Sequence, residues 1–95
     1  MSTIGVMEEI QRAFQTGKRV KVHIQFGTLQ GHFFVERIEP TEHAEDWIFQ
    51  GGDFRLMTGR YVFHAKSETP SSIEYIFSSK LTIHPQKSII FEIIG

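Results

Sequence analysis

The sequence predicts an α+β domain: an N-terminal helix on a strongly curved antiparallel sheet, or a small β-barrel, of roughly five to seven short strands. Three observations carry this. Apolar residues recur at helical spacing only near the start, at Val6, Met7, Ile10, Ala13 and Phe14. From Lys18 onward the apolar residues alternate instead, in short runs punctuated by glycine, proline and polar clusters. The 95 residues contain no repeat, low-complexity tract or long linker, so residues 1–95 make one domain.

The helix is predicted over residues 3 to 16, with Glu8, Glu9, Gln11, Arg12 and Gln15 off the apolar stripe. Ser2 or Thr3 can cap its start, and Glu8 and Glu9 suit the positive end of its dipole. Gly17 stands where a left-handed residue after the last turn is expected. So short an apolar stripe is not stable alone in water, so the helix must lie on a sheet.

In the first strand Val20, Val22, Ile24 and Phe26 alternate with Lys21, His23 and Gln25. Gly27 to Gln30 reads as a turn into a second strand over residues 31 to 38. Pairing Phe26 with Gly31 sets Ile24 opposite Phe33 and Val22 opposite Val35, giving one apolar face. Lys21, His23, Gln25, His32, Phe34 and Glu36 then share the other. Residues 40 to 46 read as a polar loop. Short strands follow at 47–50, 54–57, 61–65, 73–77, 81–84 and 88–94, with turns at Gly51-Gly52-Asp53, Thr58-Gly59-Arg60 and Pro85-Gln86-Lys87.

The last strand is apolar on both faces. Ile89, Ile90, Phe91, Ile93 and Ile94 are therefore expected to be buried on both sides, at a contact with a partner or a second subunit. Left as an unpaired edge, such a strand is an aggregation hazard, and pairing with a neighbouring copy in a dimer or ring removes it.

Composition excludes more than it selects. The net charge of −1 makes no global demand for nucleic acid or an anionic membrane. The absence of cysteine removes disulfides, thiolate nucleophiles and sulfur-based zinc sites. No apolar run approaches the roughly 20 residues of a bilayer span, and no signal peptide is read at the start, so a cytoplasmic location is expected. Nine Phe supply the bulk that so short a chain needs for a core.

The near-neutral total hides two opposed segments. No acid stands between Glu9 and Glu36, where Arg12, Lys18, Arg19 and Lys21 are found, whereas residues 36 to 53 hold six acids and only Arg37. Lys18, Arg19, Lys21, His23, His32 and Phe34 are the candidate nucleic-acid-binding residues, because cations beside a stacking ring suit a single strand. The alternative is a solvated helix end, with Phe34 buried under the helix or another strand. Residues 41 to 46 concentrate oxygen and imidazole groups but lack the regular spacing and glycine of a hard-metal loop, so no metal is expected. His64 and His84 have no Asp or Ser in a catalytic pattern, and Gly51-Gly52-Asp53 is not followed by Lys-Ser/Thr as a P-loop would be. No catalytic residue or cofactor is expected.

The opening helix followed by Val20-x-Val22-x-Ile24-x-Phe26-Gly27 and Leu29-x-Gly31 resembles the first motif of the Sm-like proteins, including the Hfq branch. The resemblance covers residues 3 to 38. It implies a helix on a bent, SH3-like small barrel, assembly into rings and binding of single-stranded RNA. It also implies that Gly27 sits in the first turn and that Gly31 lets the second strand bend. The chain departs from the family in the spacing of those glycines, in its longer 47–77 region, and in lacking a recognisable second motif between Ser79 and Gly95.

The expected function is thus a non-enzymatic binding module, taking single-stranded nucleic acid or a nucleotide as an oligomer. The alternative is a protein-interaction module, such as a small inhibitor, adaptor or assembly subunit, acting through a sheet edge or apolar patch.

Overall fold

A computed structural model describes residues 2–79 and 87–95. Helix α1 spans Thr3–Gln15, and the Ser2 hydroxyl caps it by accepting from the Gly5 amide at 3.1 Å. It stops at Thr16, and Gly17 follows with φ +91°. The first turn holds no acidic residue, so Glu8 and Glu9 lie too far along to serve the dipole. Glu9 instead accepts a 2.8 Å hydrogen bond from the Tyr75 hydroxyl.

Strands β1 (Arg19–Phe26) and β2 (Leu29–Phe34) form a hairpin tighter than expected. Phe26 pairs with Leu29, Ile24 with Gly31 and Val22 with Phe33. Gly27 has φ +63° and Thr28 does not have positive φ, the pattern of a two-residue type II′ turn. Its twist matches that of the strands, so it replaces the longer turn and moves the expected register by two residues. An even shift keeps every side chain on its expected face.

The chain bends at Val35 and Glu36 into β3 (Arg37–Pro40). Gly31 itself lies mid-strand in β2. Hydrogen bonding changes hands here. The Val35 amide donates to the Val20 carbonyl, and the Glu36 amide to that of Gln50, each at 2.8 Å. The remaining strands are β4 (Trp47–Gly51), β5 (Phe54–Met57), β6 (Tyr61–Glu68), β7 (Ser72–Ser79) and β8 (Lys87–Ile94). They form a five-stranded sheet, β2-β1-β8-β7-β6, and a three-stranded sheet, β3-β4-β5. Among the described residues the domain is thus α+β with eight strands, and the run expected at 31–38 divides in two. Among the described residues the sheets do not close into a barrel. The expected strand at 81–84, and Pro85 and Gln86 of the expected turn, lie outside the described residues.

β8 is not an edge. It pairs with β1 on one side and β7 on the other, so its backbone has no side left for a second subunit. Ile89, Phe91 and Ile93 are at most 4% exposed and belong to the chain's own core, not to a partner contact. Ile90 and Ile94 point to the opposite face and are half-buried.

That core lies on one side of the large sheet. Val20, Val22, Phe33, Tyr75, Phe77, Ile89, Phe91 and Ile93 are buried there against Val6, Met7 and Ile10 of α1, and against Phe49 and Leu56 of the small sheet. The rings of Phe63, Phe77, Phe91 and Phe49 form a chain with centroid spacings of 5.8, 5.3 and 4.7 Å, tilted or edge-on, which ties the two sheets together. Residues 41 to 46 are a folded turn: the Asp46 carboxylate accepts from the Gly59 amide at 2.7 Å, and the Trp47 indole donates to the Ala44 carbonyl at 3.2 Å.

Where the sheets meet, a Cβ on Gly51 would collide with the Phe34 carbonyl oxygen, whereas one on Gly31 would meet nothing within 4 Å. Gly51→Ala is expected to cost at least about 2 kcal/mol, lowering the melting temperature by roughly 10 °C, and Gly31→Ala to be near neutral. Equal melting temperatures for the two variants would contradict this junction.

Burial, and then the hydrogen bond to Glu9, push the Tyr75 phenol above its usual range. A tyrosine of the unfolded chain ionises near pH 10, and the folded one does so at higher pH. The stabilisation is therefore complete below about pH 10 and is lost as pH rises through the folded value. Tyr75→Phe is expected to make the alkaline fall in stability shallower, as urea melts between pH 8 and 11 would register.

Candidate functional site

The face of the large sheet opposite the core carries no buried residue among those described. Alternation places Arg19, Lys21, His23 and Gln25 of β1 on it, beside Gln30, His32 and Phe34 of β2. Five of the six sequence candidates thus meet on one open surface. The Arg19 guanidinium carbon lies 4.1 Å from the centre of the Phe34 ring, and the Lys21 ammonium 5.4 Å from it. Phe34 is 39% exposed, so it is not buried under the helix or another strand. The cations and the ring hold one another in place.

Lys18 is the exception. It falls in the turn after α1 and lines a small groove with Glu9, Arg12 and Thr16, on the helix side of the sheet. Its single-residue offset from Arg19 places it before the strand alternation begins.

Next to the Phe34 corner, His23 and His32 face each other across β1 and β2, with ring centres 6.2 Å apart. They form one wall of a trough of about 480 Å³. Gln25, Gln30 and Ser88 line one end, Ile90 contributes an apolar floor, and Glu74 of β7 closes the far side. His23 Nε2 lies 3.0 Å from Glu92 Oε1, which fixes the ring against β8.

Charge divides this face by strand. Arg19 and Lys21 stand on β1, whereas Glu92 and Glu74 stand on β8 and β7 in the same row as Lys21. An anionic backbone is thereby favoured on the β1–β2 side and disfavoured beyond it. Glu74, Ser88 and Glu92 go unrecognised in the sequence, which expects Ile90 at a partner contact rather than on this face. They lie 48 or more residues beyond Phe26, the end of β1, and nothing local marks which strands become neighbours.

Among the described residues no group of three or more His, Asp or Glu is placed to hold a metal ion, and no helix is long and apolar enough to cross a membrane. No protein-family model, curated protein or solved structure matches the chain.

Proposed function

We propose that this domain is a non-enzymatic module that binds single-stranded nucleic acid across the open face of its large sheet. The observation that carries the reading is the convergence of Arg19, Lys21 and Phe34 beside the His23–His32 wall. Two cations anchor phosphates, while exposed rings and a trough accept unstacked bases. The strand runs along β1 and β2, because Glu74 and Glu92 repel phosphate from the other half.

A labelled eight-nucleotide strand, titrated at two salt concentrations, tests this. Two phosphate contacts predict an affinity falling about sevenfold between 50 and 200 mM salt. Affinity that ignores salt, or no binding, would remove the reading.

A protein-interaction module is the second reading. Its support is the outer edge of β2, unpaired among the described residues, which has no charged side chain and begins at Leu29, 67% exposed. Self-association in solution, detected by light scattering and abolished by a proline at Gln30, would favour it.

A further inference from the structure

Resting on the nucleic-acid reading, we infer that Glu74 makes the trough selective for guanine. From β1 to β7 is two strand spacings, about 10 Å, which is room for a purine and a hydrogen bond. A base laid over Ile90, with its sugar toward Lys21 and Arg19, turns its pairing edge to Glu74. Glu74 is half-buried, and its strand neighbours are Glu92 and Ser67. The Glu92 carboxylate is taken up by His23, whereas that of Glu74 makes no hydrogen bond or ion pair among the described residues.

A carboxylate has acceptors only. Guanine alone offers it two adjacent donors, N1–H and the 2-amino group, for a bidentate charge-assisted pair. Adenine and cytosine set a ring-nitrogen acceptor beside their amino group. Uracil and thymine flank a single N–H with two carbonyl oxygens. Each of these leaves a repulsive contact with Glu74, so guanine is favoured by roughly tenfold.

The test is a fluorescence-anisotropy titration of the full chain with end-labelled dT8 and with dT8 carrying one central guanosine, adenosine or inosine. Guanosine is expected to bind about tenfold tighter than adenosine or unsubstituted dT8. Inosine, which keeps N1–H and lacks the 2-amino group, should fall between. Glu74→Ala removes a negative charge from the whole face, so the ratio of guanosine to dT8 is the readout, and it should approach 1. Equal affinities for every oligomer, or a guanosine preference that survives Glu74→Ala, would overturn the inference while leaving the nucleic-acid reading intact. No salt-sensitive binding to any of them would overturn both.

Discussion

Val22→Asp is expected to leave the domain unfolded at room temperature. Val22 is fully buried, between Phe33 on one neighbouring strand and Phe91 on the other. Both flanking residues on its face are apolar, so a carboxylate there finds neither a cation nor water. The cost exceeds about 4 kcal/mol, against a total stability of roughly 5–14 kcal/mol for a chain of this length. His23→Ala, one residue along and on the open face, is expected to cost less than about 1 kcal/mol. It removes a half-exposed contact with Glu92. Thermal melts followed by circular dichroism separate the two. Similar melting temperatures would mean that the assigned faces of β1 are wrong.

The double variant Arg19→Glu with Lys21→Glu is expected to weaken single-strand binding at least tenfold and to abolish its salt dependence. Both cations sit over Phe34, and their reversal joins two more carboxylates to Glu74 and Glu92 on the same sheet face. No phosphate-attracting side remains. The melting temperature should change by only a few degrees, because the lost cation–ring contacts are worth about 0.5–1 kcal/mol each at an exposed site. Lys18→Ala, equally basic and adjacent in sequence, is the control, since Lys18 lines the groove on the helix side. A loss in Lys18→Ala as large as in the double variant would place the site at the helix end instead.

Parity was legible in the sequence: helical spacing in the first sixteen residues, alternation afterwards, and the side of the sheet to which Lys21, His23, His32 and Phe34 point. These depend on the local geometry of a helix or strand, which the order of apolar residues determines directly. Register was less legible. The hairpin chose a two-residue turn because the backbone freedom of Gly27 allows its twist to match the strands, and residue type alone did not distinguish that from a longer turn. Strand order was not legible at all. The apolar β8 reads equally as an exposed edge or a central strand, and only tertiary structure places it between β1 and β7. That placement buries Ile89, Phe91 and Ile93 within the chain and brings Glu92 and Glu74 beside Lys21. Pairing partners far apart in sequence are chosen by the joint burial of apolar faces under α1 and the small sheet, a property of the whole packed core that no local pattern encodes.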